Sequence, residues 1–313
     1  MVLGNFINLN GPKSAWSERP MSGPGQNYSV FCLHTIWDHD RVKKLIGDNG
    51  GEGKYFSMVR DPVNLFISMW DYYDFSTAFK MDLETFATNT SLVFKKRSDR
   101  MIKKHEGQNM MLADFGLPVG SLNNESAVAA KIAEIEADFD LIMVMEHFDE
   151  SLVLLRELLC WDWVDMTYLK LNSWQETRRS FISPEGRAKL KAWLWGDVLL
   201  YNHFKKQFDN AVRKNGDNME HGLKMLHYLN KGIKMDCVKV IYFFWFWTFR
   251  CQLFSFAQGV VKSSELTGIF RMWGQHMVGY RVDSLKKNCV NHAIDEISFI
   301  NYLRKKQNSP KLI

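Results

Sequence analysis

Three short runs of β-forming residues share one design, and that design constrains the fold more than any other feature of this chain. The runs cover 28–33 (YSVFCL), 55–59 (YFSMV) and 141–145 (LIMVM). Each is followed by a polar residue and then by residues that start helices, which is typical of strands alternating with helices. Near-continuous apolar runs such as the third belong to strands covered on both faces. The pattern therefore predicts an α/β fold built on a parallel sheet.

The polar residues that follow these runs are the first candidates for a functional site. His34 follows the first run, Arg60 the second, and Glu146 and His147 the third. In open parallel sheets, ligands bind at the carboxyl ends of the strands. We therefore expect these four side chains to lie along one edge of the sheet.

Helix signals follow the second and third runs. Asp61 can accept free amide protons as an N-cap and Pro62 suits a first helical turn, so a helix is predicted to begin there. After the third run, Asp149 is predicted to cap a helix over 150–159, where leucines recur at helical spacing. A fourth run of β-formers at 166–171 predicts one more strand.

The remaining segments predict the organisation of the chain. Residues 76–135 have the pattern of a mixed helical and loop insertion, and 184–208 carries a helical apolar stripe. The stripe consists of Ala192, Trp193, Leu199, Leu200 and Phe204. We expect three parts: an N-terminal remnant of a larger domain over 1–25, a core over 26–210 and a helical C-terminal region over 211–313.

Composition limits the partners of the chain. Forty lysines and arginines stand against 35 acids, and the net charge of +5 is too small and too dispersed to predict nucleic-acid binding. Five widely separated cysteines form no CxxC pair, which argues against a zinc ribbon and allows at most one or two disulfides. Glycosylation sequons at Asn27, Asn89 and Asn124 favour a lumenal chain. The apolar stretch 240–249 has about half of the ~20 residues that span a bilayer, so a buried helix and an aromatic face at a lipid interface stay open.

A set of ordered motif blocks begins at Arg60 with RDPVNLFISMWDYY over 60–73. The blocks that follow are 139–161 with 168–172, LYNHF at 200–204, and 279–287. In these blocks the chain resembles the galactose-3-O-sulfotransferase family. The first block is similar to that family's 3′-phosphate-binding motif, and the last is a weaker echo. The resemblance covers roughly residues 30–210.

The resemblance implies a fold, an activity and a location. The fold is a three-layer α/β sulfotransferase domain related to P-loop kinases, with a helical C-terminal extension. The activity is metal-free transfer of a sulfuryl group from 3′-phosphoadenosine 5′-phosphosulfate (PAPS) to the 3-hydroxyl of a terminal galactose on a glycolipid or glycan. The location is the lumenal face of the Golgi membrane, and the chain is a candidate homodimer.

Carried over onto this sequence, the resemblance gives roles to Arg60 and Ser68. Both would hold the 3′-phosphate of the nucleotide, since a dianionic phosphate needs a fixed guanidinium and hydroxyl donors. Taken without the resemblance, an Arg-Asp-Pro turn also fits a surface arginine that pairs with Asp61.

The other site candidates concern the acceptor sugar. His34 would position the galactose or assist proton transfer, and a structural histidine is the alternative. Glu146 and His147 would contact the acceptor, or else tie the strand end to the predicted Asp149 cap. Trp70 would stack on the sugar, although aromatic residues at helical spacing usually belong to a core.

One part of the family pattern is missing from these 313 residues. Family members place a loop of the Lys-Thr-His-Lys-Thr type after an N-terminal strand, and neither 11–14 (GPKS) nor 47–54 (GDNGGEGK) matches it. We therefore expect the first strand, this loop, the next helix and a signal anchor to lie upstream of Met1. We also expect the 313-residue chain alone to bind the donor weakly and to transfer no sulfate. The alternative is a truncated, non-catalytic paralogue or isoform that binds a glycolipid or a partner protein.

Overall fold

The computed structural model describes residues 36–46, 53–90, 107–170, 173–174, 180–238, 277–278 and 286–293. The chain divides into two units, each with its own internal contacts. Unit 1 holds Met1–Cys160 and Ser180–Met219, and unit 2 holds Trp161–Arg179 and Glu220–Ile313.

Helices and two small sheets make up the regular structure of the described residues. The elements of unit 1 are α1 (His39–Ile46), β1 (Phe56–Val59), α2 (Pro62–Tyr72), α3 (Phe75–Phe79), α4 (Leu83–Thr88), α5 (Met110–Asp114), α6 (Glu125–Asp138), β2 (Leu141–Val144), α7 (Phe148–Leu159), α8 (Pro184–Trp193) and α9 (Trp195–Asn215). Unit 2 contains β3 (Ser173–Trp174), most of α10 (Asp217–Cys237), β4 (Met277–Val278) and α11 (Lys287–Ala293). Short 3-10 turns lie at Val119–Ser121, Met145–His147 and Trp163–Met166.

Strands β1 and β2 form a parallel pair, with Val59 opposite Val144 at their carboxyl ends. The predicted strands at 55–59 and 141–145 are confirmed, each to within one residue. The described residues are thus mixed α/β with a small parallel sheet and many helices. The first predicted strand, at 28–33, lies outside them, and the three-layer arrangement remains a prediction.

Helix α2 starts where the sequence predicts. The Asp61 carboxylate accepts the backbone N–H of Asn64 at 2.8 Å, and Pro62 occupies the first turn. The cap satisfies a donor that has no partner inside the helix, and proline has no N–H that would need one. The cap therefore fixes the path of the chain immediately after Arg60. The buried face of α2 consists of Pro62, Val63, Phe66, Ile67 and Trp70.

An aromatic cluster around Trp70 forms much of the core of unit 1. The indole ring is 1% exposed and stacks on Phe79, with 5.6 Å between the ring centroids and 11° between the ring planes. Phe86 packs against both rings, and Leu190 and Leu194 complete the cluster. Burial of these side chains holds α2, α3, α4 and α8 together.

The predicted cap at Asp149 is wrong. Helix α7 begins one residue earlier, at Phe148, and has His147 as its N-cap residue. The 3-10 turn at Met145–His147 leads directly into the helix, so the helix begins before Asp149 can cap it. Asp149 lies in the first turn instead, where its negative charge suits the positive end of the helix dipole.

The fourth predicted strand, at 166–171, is also wrong over the part that the structure describes. Trp163–Met166 form a 3-10 turn, and 167–170 have no regular structure. Asp162 and Asp165 close a capping box around the turn. These local hydrogen bonds outweigh the β propensity of the residues that follow.

The predicted helical stretch at 184–208 consists of two helices, α8 and α9, which meet at Leu194. Of its apolar stripe, Leu200 and Phe204 are buried, but Leu199 is 50% exposed. The break between the helices changes the phase of the helical repeat, so a stripe counted across it mixes two faces.

Asp197 of α9 is a buried carboxyl that caps a neighbouring helix. Its two oxygens accept the backbone N–H groups of Met111 and Leu112 at 3.0 Å each, and the Asn109 side chain accepts the N–H of Asp197 at 3.1 Å. Burial raises the pKa of Asp197 to about 7, although the two backbone hydrogen bonds oppose this shift.

We expect the stability of the chain to fall, through this group, as pH rises from about 4 to about 7. The folded state keeps the Asp197 proton to higher pH than the unfolded chain does. Its contribution is therefore complete below the ordinary aspartate pKa and is lost as pH rises through about 7. The slope is about 1.4 kcal/mol per pH unit for one proton. Urea unfolding at several pH values measures it, and Asp197→Asn, which cannot titrate, should flatten the dependence. Equal slopes in the two proteins would contradict the pKa shift.

Unit 2 contains a disulfide between Cys237 and Cys289, whose Cα atoms lie 5.1 Å apart. Leu169 packs against this disulfide, and β3 pairs antiparallel with β4. Cys160 of unit 1 is an exposed free thiol. Within the described ranges, no helix combines the length and the apolar character that a membrane span requires.

Candidate functional site

The carboxyl ends of β1 and β2 meet at the candidate site. Arg60 follows β1, and Glu146 lies in the turn after β2. The Oε1 atom of Glu146 accepts the backbone N–H of Asp61 at 2.9 Å. This N–H belongs to the peptide that joins Arg60 to Asp61, so Glu146 fixes the orientation of that peptide. The structure therefore brings together two of the strand ends that the sequence singles out.

Tyr201 of α9 completes this contact. Its hydroxyl donates to Oε2 of Glu146 at 3.3 Å. Burial raises the pKa of Tyr201 and the charge of Glu146 raises it further, so the phenol stays protonated and remains a donor. Both oxygens of Glu146 thus have protein partners, and the carboxylate connects β1, β2 and α9. A contact of Glu146 with an acceptor stays a prediction. Such a contact would use the remaining lone pairs of the carboxylate.

His147 lies beside Glu146 at the start of α7. Its ring centroid is 5.8 Å from that of Phe208, and its Nδ1 atom is 3.5 Å from Oε1 of Glu150. The imidazole is half-buried, and it makes no capping hydrogen bond to the backbone of the helix that it precedes. These contacts connect the strand end to α7 and α9. A contact of His147 with the acceptor stays a prediction.

Ser151 of α7 joins this helix to the end of β2. Its buried hydroxyl donates to the carbonyl of Val144 and accepts the N–H of the same residue, both at 3.1 Å. Because Val144 is the last residue of β2, the hydroxyl holds the strand end from which Glu146 and His147 follow.

Replacing Ser151 with alanine is expected to destabilise the chain by about 1–3 kcal/mol, because two buried backbone groups of Val144 lose a partner. Urea unfolding measures the loss. The control is Ser126→Ala, which removes an exposed hydroxyl from α6 and should cost less than about 0.5 kcal/mol. A Ser151→Ala protein as stable as the unmodified chain would show that this hydroxyl does not hold α7 to β2.

Arg60 precedes α2, and Ser68 lies on the side of α2 that faces away from the core. Arg60 is half-buried and directly precedes the N-cap of the helix. Helical spacing places Ser68 opposite the buried residues of α2, on the same face as Asn64 and one turn further along. A half-buried guanidinium and a hydroxyl are the donors that suit a phosphate dianion. Their assignment to one phosphate site stays a prediction.

Trp70 belongs to the core and not to the candidate site. The ring faces of Trp70 are covered by Phe79 and Phe86, so a sugar has no indole face on which to stack. Trp70 is a core residue, which the sequence left open as the alternative. His34 lies outside the described residues.

Sequence reasoning missed Tyr201 as a site residue. It lies in the LYNHF block, yet helical periodicity alone does not identify the strand end that a helix side chain will reach. The described residues contain no group of three or more histidine, cysteine, aspartate or glutamate side chains that could hold a metal ion.

Comparisons with known proteins agree with the motif blocks. A family model described as galactose-3-O-sulfotransferase matches residues 14–240. Galactosylceramide sulfotransferase of Homo sapiens is 29% identical over 221 residues, which is 69% of this chain and 51% of that protein. Galactose-3-O-sulfotransferase 2 of Homo sapiens is 32% identical over 187 residues, covering 59% of this chain and 46% of that protein.

A third relative, galactose-3-O-sulfotransferase 3 of Mus musculus, is 33% identical over 195 residues, or 60% of this chain and 44% of that protein. The chain thus spans about half the length of the curated relatives it matches. No solved structure shows a significant match.

Proposed function

This chain belongs to the galactose-3-O-sulfotransferase family, and we propose that it transfers a sulfuryl group from PAPS to the 3-hydroxyl of a terminal galactose. One observation carries the proposal. Arg60 follows a parallel strand at the start of the motif that resembles the family's 3′-phosphate site, and Glu146 holds the peptide after it at 2.9 Å. A guanidinium fixed at a strand end is suited to recognise a phosphate.

The donor nucleotide would be held by Arg60 and Ser68. The guanidinium can offer two parallel N–H donors to the 3′-phosphate, and the hydroxyl of Ser68 can offer a third. A nucleotide without the 3′-phosphate would not make these contacts with Arg60 and Ser68. We therefore expect the 3′-phosphate to contribute most of the binding affinity. The N-terminal end of α2, which follows Arg60, adds the favourable end of a helix dipole.

The transfer breaks the bond between sulfur and the oxygen that bridges to the 5′-phosphate. It forms a bond between sulfur and O3 of galactose, the hydroxyl proton passes to a base, and adenosine 3′,5′-diphosphate leaves. The step needs a base for the hydroxyl and donors near the bridging oxygen. We propose His34 as the residue that positions the galactose or accepts its proton.

The acceptor is a galactose-terminated glycolipid or glycan, next to Glu146 and His147. The names of the relatives, galactosylceramide sulfotransferase and galactose-3-O-sulfotransferase, support this acceptor class. The lumenal face of the Golgi membrane is the proposed location. The disulfide between Cys237 and Cys289 supports an oxidising compartment, in which such bonds persist.

A transfer assay with radiolabelled PAPS tests the proposal. It compares the 313-residue chain with the longest product that its transcript encodes, using galactosylceramide, a soluble β-galactoside and the matching glucosides. We expect label on both galactosides from the longest product and none on the glucosides. If that product binds adenosine 3′,5′-diphosphate but transfers no label, the enzyme assignment is wrong and a binding protein remains. If it neither binds nor transfers, the donor assignment is wrong as well.

A further inference from the structure

Arg187 is a half-buried cation whose hydrogen-bond partner is a neutral amide, Asn64. It lies in the N-terminal half of α8, and its Nη2 atom donates to the side-chain oxygen of Asn64 at 2.8 Å. Among the residues that the structure describes, no carboxylate forms an ion pair with it. Removing charge from water is costly, so guanidinium groups that are partly buried are usually paired with an anion. The N-terminal end of α8 carries partial positive charge, which makes the surroundings of Arg187 more positive still.

The position of Arg187 relates it to the face of α2 that carries Ser68. The segment 180–187 is held against that face at two points. The hydroxyl of Ser180 donates to Oδ1 of Asp71 at 2.5 Å, and Arg187 bonds to Asn64. Ser68 lies between these two anchors, one turn after Asn64 and one turn before Asp71. The guanidinium of Arg187 and the hydroxyl of Ser68 therefore lie along the same face of α2.

Asn64 also relates Arg187 to the end of β1. Its backbone N–H donates to Asp61, the residue that follows Arg60. The contact of Arg187 is thus made in the first turn of α2, at the end of the helix where Arg60 leaves the strand. The carboxylates of Asp61 and Glu146 lie at this same end. With Arg60 alone, the two carboxylates would leave a net negative charge around the phosphate and would repel a dianion. A second guanidinium brings the net charge of these four groups to zero.

We propose that Arg187 is a second guanidinium of the nucleotide site and binds the 3′-phosphate together with Arg60 and Ser68. This inference rests on the proposed function, because the phosphate is that of the sulfuryl donor. Asn64 is a positioning residue, whose side-chain oxygen holds one N–H of Arg187 and leaves the others for the ligand. The alternative is a purely structural role, in which Arg187 only holds α8 against α2.

Nucleotide binding by calorimetry separates the two explanations. The affinity of the longest product is measured for adenosine 3′,5′-diphosphate and for adenosine 5′-monophosphate, which lacks the 3′-phosphate. Arg187→Ala is expected to weaken binding of the first by about 10–100-fold and to leave binding of the second unchanged. Arg187→Lys should recover part of the loss, because it restores the charge. The control Lys189→Ala removes the same charge from another face of α8, where Lys189 pairs with Glu185, and should change neither affinity.

Each other outcome overturns the inference or identifies a failure elsewhere. If Arg187→Ala weakens binding of both nucleotides equally, Arg187 has a purely structural role. If it changes neither affinity, Arg187 has no role in nucleotide binding. If the unmodified protein does not prefer the nucleotide with the 3′-phosphate, the proposed function fails. In that case, phenylglyoxal labelling of Arg187, read by peptide mass spectrometry, decides the matter. If inorganic phosphate, but not chloride, protects Arg187 from labelling, an anion site at Arg187 is supported. Equal labelling in phosphate and in chloride rejects that site.

Discussion

Replacing Arg60 with alanine is expected to weaken binding of adenosine 3′,5′-diphosphate by about 100-fold, as measured by calorimetry on the longest product of the transcript. The substitution removes the charged donor of the proposed phosphate site. It also leaves the carboxylates of Asp61 and Glu146, which then repel the dianion. Binding of adenosine 5′-monophosphate should change far less, because that nucleotide lacks the phosphate in question.

The same strand provides the control for this experiment. Lys54 lies at the opposite end of β1 and pairs with Asp140 at 2.8 Å. Lys54→Ala removes one positive charge without touching the carboxyl ends of the strands and should leave nucleotide affinity unchanged. Arg60→Lys should lie between alanine and arginine, because it restores charge but not the planar pair of donors. An Arg60→Ala protein with the affinity of the unmodified protein would contradict the assignment of Arg60.

Replacing Trp70 with alanine is expected to lower the free energy of unfolding by about 3–5 kcal/mol, as measured by urea unfolding. The indole is 1% exposed and its removal leaves a cavity among Phe66, Phe79 and Phe86. Trp70→Phe should cost far less, because the buried indole N–H has no hydrogen-bond partner and the smaller ring keeps most of the aromatic contacts.

A second tryptophan supplies the comparison for Trp70. Trp161 is 42% exposed, so Trp161→Ala should change stability by less than about 1 kcal/mol. Trp70→Phe should also preserve nucleotide affinity, because it keeps most of the packing that positions α2. If Trp70→Ala keeps the stability of the protein but abolishes acceptor binding, the indole contacts the sugar and the core assignment is wrong.

The elements that the sequence predicts correctly are those defined by short-range signals. The strands at 55–59 and 141–145 are apolar runs, and the start of α2 is fixed by Asp61 and Pro62. These features depend on residues next to one another in the chain. The strand at 166–171 fails because a capping box a few residues earlier sets the local conformation.

The candidate site was predictable only in part, for a related reason. Placing Arg60 and Glu146 together requires only that both follow parallel strands, and the structure joins them through Asp61. Tyr201 and Arg187 reach the site from α9 and α8, and their partners are 55 and 123 residues away in the chain. No local pattern distinguishes such residues from other polar side chains on a helix. The family resemblance is confirmed, and the roles of His34, Arg60 and Ser68 remain predictions.

The disulfide between Cys237 and Cys289 joins positions 52 residues apart. The aromatic stretch 240–249 therefore belongs to a covalent ring and not to an open chain. A protease that nicks the backbone once inside this ring leaves the two fragments attached to each other. The cut becomes visible on a gel only after a thiol reductant has opened the ring.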